Sequence, residues 1–333
     1  MNPHPMSKLN FAFIVGAPRC GTTFIARHLR NHPNVCFSLV KEPHFFSARD
    51  LRALPQAELE KVIEREYLDR YFPHRRPDSL LVEGSVTYLY TPGQLEPVLQ
   101  MWPDAKFIVA VRDPMHMVPS LHQRLRCIGD ETVANFNRAW GLVQDRRQGR
   151  DIPRRCADPR WLDYWESGRL GHYVDEFFRT IGRERCFVSV FDDLKSDPAD
   201  QYRRILEFLS LPDDGQSDFE PARQSSGFKY QWLQHLLKRP PRAAISLLGS
   251  EATQIRTSTA PRGRKGALAR AILGARSRLL EWNKQPSPPV QLSASVSAHM
   301  RSMFEDDVRL LSATISRDLS HWLNRSSAGR ERP

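Results

Sequence analysis

The sequence predicts an α/β fold, a doubly wound and mostly parallel sheet flanked by helices, with a helical C-terminal extension. Three observations carry this. Short continuous apolar runs at Phe11–Val15, Lys106–Val111 and Cys186–Phe191 read as strands buried on both faces. Segments of helical period separate them. A turn with two glycines and a proline, Gly16 to Gly21, joins the first run to the first helix.

Taken in order, Thr22 opens that helix as its expected N-cap, Ile25 and Leu29 share a face, and His32-Pro33 stops it. Val35 to Val40 is the next strand. Leu54 to Tyr71 is helical, with Leu59, Ile63 and Tyr67 spaced by four. Ser79 to Glu83 is a short strand and Gln94 to Trp102 a short helix. After the run ending at Val111, Met115 to about Cys127 forms a helix. Trp140 to Tyr164 is polar and reads as irregular. Arg169 to Ile181 is helical, and Pro198 to Leu209 turns Tyr202, Ile205, Leu206 and Leu209 inward. Asp213 to Ser226 is loop-like, Gln285 to Pro289 reads as a linker, and Leu292 to Leu323 as a helix with Met300, Phe304, Leu311 and Ile315 on one stripe. We expect residues 1–235 to form the core, 236–290 a basic lid-like segment and linker, and 291–333 a C-terminal helix completing the same domain.

A net charge of +11 points to anionic ligands or an anionic surface. The excess is local: Leu236 to Lys284 holds eleven Lys and Arg against Glu251 and Glu281. The five cysteines are few, odd in number and widely spaced, without a Cys-x-x-Cys pair. That argues against a disulfide framework or a zinc site and favours a reducing cytosol. The first ten residues carry no apolar signal core, and no run approaches the length of a membrane helix, so the sequence reads as soluble and cytoplasmic. No nucleic-acid-binding module is visible.

Gly16-Ala17-Pro18-Arg19-Cys20-Gly21-Thr22-Thr23 keeps the glycine spacing of a P-loop after a buried strand and before a helix, which makes the fold P-loop-like. Such a loop turns successive N–H groups toward one spot, and the helix N-terminus adds positive potential there. The lysine that clamps a triphosphate is absent, replaced by Thr22, and the cation is Arg19 inside the loop. A nucleotide with fewer phosphates and no metal fits this pattern better.

These residues resemble the sulfotransferases that use 3′-phosphoadenosine 5′-phosphosulfate (PAPS), in the bacterial branch related to heparan-sulfate and tyrosylprotein enzymes. Pro18-Arg19-Cys20-Gly21-Thr22-Thr23 is similar to the family's 5′-phosphosulfate loop. The resemblance implies that Arg19, Cys20, Gly21, Thr22 and Thr23 bind the donor. Arg112-Asp113-Pro114 with Ser120 is similar to its 3′-phosphate motif, although Met117 stands where an arginine is common. Lys41-Glu42-Pro43-His44-Phe45-Phe46 resembles the heparan-type segment whose glutamate is the proposed general base. Glu42 is then the expected base and His44 its rival. Glu83-Gly84-Ser85-Val86-Thr87-Tyr88 resembles a Glu-Lys-x-Pro-x-Tyr segment but lacks its Lys and Pro. Tyr173, in Gly171-His172-Tyr173, is expected near the nucleotide. Arg262-Gly263-Arg264-Lys265-Gly266 resembles the loop closing over the 3′-phosphate, in either of two registers. Asp192 and Asp193 fall in a structural segment.

The family implies PAPS as co-substrate, 3′,5′-ADP as product and no metal. As a base, Glu42 is expected to have its pKa raised toward neutral by partial burial. Residues 266–282 form an amphipathic stretch with three readings: a lid over PAPS or a polyanionic acceptor, a peripheral membrane contact presenting a lipid-linked acceptor, or a helix packed on the core. The acceptor is a small molecule or, by the heparan-type match, a carbohydrate or glycolipid. The oligomeric state is not encoded in any readable motif. The competing functions are a P-loop kinase and a non-catalytic PAPS- or anion-binding homologue.

Overall fold

The computed structural model describes residues 8–154, 156–219, 226–238, 274–286 and 290–324. The chain divides into two compact units. One comprises Met1–Met117, Ser167–Ala222 and Ala298–Pro333; the other comprises Val118–Glu166 and Arg223–Ser297. No helix among the described residues is long and apolar enough to cross a membrane.

The first unit is built on a five-stranded sheet. β1 (Asn10–Gly16), β2 (Val35–Phe37), β3 (Leu80–Glu83), β4 (Lys106–Val111) and β5 (Cys186–Val190) run in the order β2-β3-β1-β4-β5. Every pairing is parallel. β1 is central, which is why Phe11 to Val15 can be apolar without alternation: all five are buried. Phe11 packs on Trp102 at 3.9 Å and Phe13 on Phe107 at 5.4 Å between ring centroids. Burying each such ring stabilises the fold by roughly 1.5–3 kcal/mol. The chain leaves β1 through α1 (Thr22–Asn31) to β2 on one side, then crosses back over β1 to β4 on the other. The strand order therefore reverses at β1, and its carboxyl end opens the crevice where such sheets bind ligands.

Several expectations need correction. β2 stops at Phe37 rather than Val40, because Ser38 Oγ donates to Val40 O and turns the chain. The helix expected from Leu54 starts as α2 (Gln56–Val62) and continues as a π-helix over Ile63–Leu68. The wider turn keeps Leu59, Ile63 and Tyr67 buried together. Residues 140–164 are not irregular throughout: Phe136–Gly141, Val143–Arg147 and Pro159–Leu162 are short helices. They surround a buried polar group in which Glu131 accepts from Arg146 at 3.0 Å and from Tyr164 at 2.7 Å. A buried hydrogen-bonded ion pair replaces apolar periodicity there, so the helices leave little pattern.

A long helix, α3 (Pro114–Ile128), starts in the first unit and continues into the second. α4 (Leu170–Ile181) and α5 (Pro198–Leu209) flank the sheet. In the second unit β6 (Ser226–Phe228) leads to α6 (Gln231–Lys238) and pairs antiparallel with β7 (Lys284–Pro286). The supposed linker therefore begins as a strand. α7 (Ala294–Thr314) buries Met300, Phe304, Val308 and Leu311. It ends short of Leu323, in a turn and the 3-10 segment Ser320–Trp322.

Candidate functional site

The loop after β1 is shaped by two glycines that no other residue can replace. Gly16 has φ of 144°, and a Cβ there would stand 2.4 Å from Ala110 N. Gly21 has φ of 90°, and a Cβ there would meet Leu194 Cδ2 at 2.4 Å. Arg19 itself sits at φ 69°. Gly21, not Thr22, is the N-cap of α1, and no side chain caps the helix. The left-handed glycine brings the chain into the helix, so Thr22 is already its first residue. The N–H groups of Thr22 and Thr23 belong to the first turn, which has no internal acceptors. Cys20 turns inward: burial pushes its thiol up to about 12, against the pull of Arg112 and Arg19. It anchors the loop and is no nucleophile at neutral pH.

Arg112, at the end of β4, closes one side. Its Nη1 donates to Arg19 O at 3.2 Å, and its guanidinium lies over the Phe191 ring at 4.2 Å. Burial lowers its pKa, against Cys20, Asp113 and Asp192. A guanidinium so desolvated gains from an anion. Asp113 caps α3, accepting from Met115 N at 2.8 Å. Ser120 follows within α3, in the second unit. Gly171 N and His172 N donate to the Asp307 carboxylate of α7 at 2.8 and 2.9 Å. A Cβ at Gly171 would lie 2.1 Å from Asp307 O, so this glycine lets α4 and α7 touch. Tyr173, two residues on, packs edge-on against Tyr90 at 4.6 Å.

Lys41 is a cation at the loop that the sequence did not single out. Its Nζ reaches Thr22 Oγ1 at 3.4 Å and Glu42 Oε1 at 2.5 Å. An ammonium thus stands at the loop although Thr22 replaced the usual lysine. The only signal was its place beside Glu42. Glu42 is half-buried, with Oε2 3.7 Å from His44 Nε2. Here the expectation of a raised pKa fails. Burial pushes Glu42 up, but the His44 ring and the Lys41 ammonium outweigh it and hold the carboxyl at about 2. The raised carboxyl is a different one: burial brings Glu83, at the end of β3, up to about 7.

Asp192 accepts from His321 Nε2 at 2.9 Å and Trp322 Nε1 at 2.7 Å, and Asp193 pairs with Arg317. Both carboxylates tie the C-terminal segment to the end of β5. Arg262, Arg264, Lys265 and Gly266 lie outside the described residues, as does 266–273 of the amphipathic stretch.

The model of the sulfotransferase family matches residues 12–215. Mouse heparan sulfate glucosamine 3-O-sulfotransferase 3B1 is 28% identical over 205 residues, covering 60% of this chain and 46% of that protein. The protein-tyrosine sulfotransferase of Drosophila melanogaster is 25% identical over 215 residues, covering 60% of this chain and 38% of that protein. The chain thus spans less than half the length of these two curated relatives. A crystal structure of a sulfotransferase from Alicyclobacillus acidocaldarius superposes with a TM-score of 0.62 at 22% identity, over 95% of this chain and 99% of that one, and shares the fold.

Proposed function

This chain belongs to the sulfotransferase family, and from that premise we propose that it transfers the sulfuryl group of PAPS to a hydroxyl or amine, on a carbohydrate or glycolipid acceptor. The observation that carries the reading is the loop Gly16–Thr23 with three cations around it: Arg19 within, Arg112 bonded to its backbone, and Lys41 at Thr22. That concentration of charge suits a phosphosulfate. Tyr173 and Ser120, and Arg262, Arg264, Lys265 and Gly266, join the donor set by resemblance.

In the proposed reaction the acceptor oxygen attacks sulfur in line with the departing phosphate. A new S–O bond forms, the bond to the phosphate oxygen breaks, and 3′,5′-ADP leaves. Arg19 and the loop N–H groups stabilise the charge growing on that oxygen. Glu42 takes the acceptor proton, with His44 as the alternative base. In the ligand-free chain Lys41 holds Glu42 as a carboxylate. A donor that draws the ammonium toward its own anion raises the basicity of Glu42 when it is needed. The test is titration with 3′,5′-ADP and with ATP plus Mg²⁺, then labelled PAPS offered to extracts of the source cells. Tight 3′,5′-ADP binding and a labelled product are expected. ATP binding without 3′,5′-ADP binding means a kinase; 3′,5′-ADP binding without a product means a non-catalytic homologue.

One reading of the basic segment is favoured by exposure. In helical residues 274–282, Leu279 and Trp282 are largely exposed, as are Trp232, Leu236 and Tyr230 around α6, the last stacked on Trp282. Trp232 is 67% exposed and Trp282 55%. The fold still holds these segments firmly: buried Asn283 accepts from Tyr230 N and donates to Tyr230 O, and Arg276 donates to Leu237 O. Lys229 lies over Trp282, and Lys284 pairs with Glu281. Aromatics beside a strongly cationic segment suit an anionic lipid surface. We infer a peripheral contact there. Co-sedimentation with phosphatidylserine vesicles, lost with neutral vesicles and with Trp232→Ser/Trp282→Ser, is the expected result.

A further inference from the structure

Glu83 has no part in the chemistry above, yet its surroundings are unusual for a carboxyl. It is fully buried at the end of β3. Oε2 accepts the Ser85 hydroxyl at 3.0 Å. Oε1 is sealed from water and meets only the hydroxyls of the neighbouring phenols, at the margin of hydrogen-bond geometry. The titratable groups facing it are the phenols of Tyr67 and Tyr88 and the ring of His44. No cation pairs with it within ion-pair distance among the described residues. A burial this costly calls for a compensating role.

Ser85 supplies the connection. A serine has one O–H to give, and it goes to Glu83. The same oxygen then accepts the His44 N–H at 3.0 Å. His44 needs that anchor because it sits at φ 53°, a left-handed conformation that costs a non-glycine residue energy. Its ring is held from the other side, with Nδ1 2.8 Å from Thr87 Oγ1, which in turn lies 2.6 Å from Ser47 Oγ. The remaining ring nitrogen faces Glu42.

We propose that Glu83 is a positioning residue that, through Ser85, holds His44 in its left-handed turn and so sets the Glu42–His44 pair beside the donor loop. Glu83 touches no substrate. The inference rests on reading Glu42 and His44 as the acid–base pair. It also gives the site a pH response. With its carboxyl near 7, Glu83 is neutral in mild acid and anionic above. The anion strengthens the Ser85 bond.

The test compares the full chain with Glu83→Gln and Ser85→Ala. Glu83→Gln keeps the shape and an acceptor oxygen but cannot titrate. In chains carrying ¹³C-labelled histidine, the His44 Cε1 resonance is followed with pH, assigned by a His44→Gln variant. The ring's own protonation moves this resonance in every chain; a further step around pH 7 is expected in the parent chain, absent in Glu83→Gln. The same further step in Glu83→Gln overturns the proposal. Both variants are expected to bind 3′,5′-ADP within about twofold of the parent. With labelled PAPS and cell extract, turnover should fall at least tenfold, and its limb near pH 7 should be lost. Loss of 3′,5′-ADP binding instead means that Glu83 supports the whole fold, which also overturns the proposal. The resonance needs no acceptor. A chain that shows the step but transfers nothing therefore refutes the sulfuryl-transfer reading while leaving Glu83's role standing.

Discussion

The ends of β1 and β3 lie side by side in the sheet, yet they are built on opposite principles. After β1 the working groups are backbone: glycine dihedrals, helix N–H groups and one arginine. After β3 they are side chains, a buried acid reaching a strained histidine through Ser85. The two carboxyls concerned differ in the same way. Glu42 is half in solvent and held at about 2 by its hydrogen bond with His44 and by the Lys41 ammonium, whereas Glu83 is buried without a cation and rises to about 7. The β1 end is thus set by backbone geometry, and the β3 end by the side chains around one buried carboxyl.

Substitutions can break this contrast at either end. Glu42→Gln is expected to have the largest effect, a loss of roughly 10²–10⁴ in turnover with PAPS binding intact. Retained turnover would move the base to His44. Arg19→Ala comes next, at about 2.7–4 kcal/mol of transition-state stabilisation, a loss of roughly a hundred- to thousand-fold in single-turnover rate.

The third prediction concerns stability. Glu83 has its pKa raised on folding from 4.5 to about 7, so the native state holds its proton more tightly than the unfolded chain. Its contribution is therefore greatest below pH 4.5 and is lost as pH rises to about 7, by on the order of 3 kcal/mol. Urea midpoints at pH 5 and pH 7.5 should diverge in the parent chain more than in Glu83→Gln. Equal divergence would mean that Glu83 is not the group titrating. Gly16→Ala is expected to lower the melting temperature, because overpacking against the Ala110 backbone and the strain of φ 144° each cost roughly 1–3 kcal/mol. An unchanged melting temperature would show that the loop is not as tightly fitted as its geometry indicates.

Much of the β1 end was legible because its signals are local. A run of apolar residues marks a doubly covered strand, and the spacing of Gly16 and Gly21 marks the turn. The β3 end was legible only as a departure from a family pattern, with Gly84 in place of lysine. Nothing around Glu83 indicates that it lacks a cation, because Tyr67 and His44 arrive from distant parts of the chain. The helix capping at Gly21 was missed for a related reason: threonine is a good N-cap by preference, but here its hydroxyl is taken by Lys41.

By itself the sequence determined the alternation of strands and helices and the glycine loop with its arginine, since periodicity and glycine dihedrals act over a few residues. Tertiary structure alone decided that Lys41 reaches Thr22, that Glu83 is sealed from water, and that Asp192 and Asp193 serve the C-terminal segment. Each depends on which elements become neighbours, and with β3 inserted between β1 and β2 those neighbours are far apart in the chain.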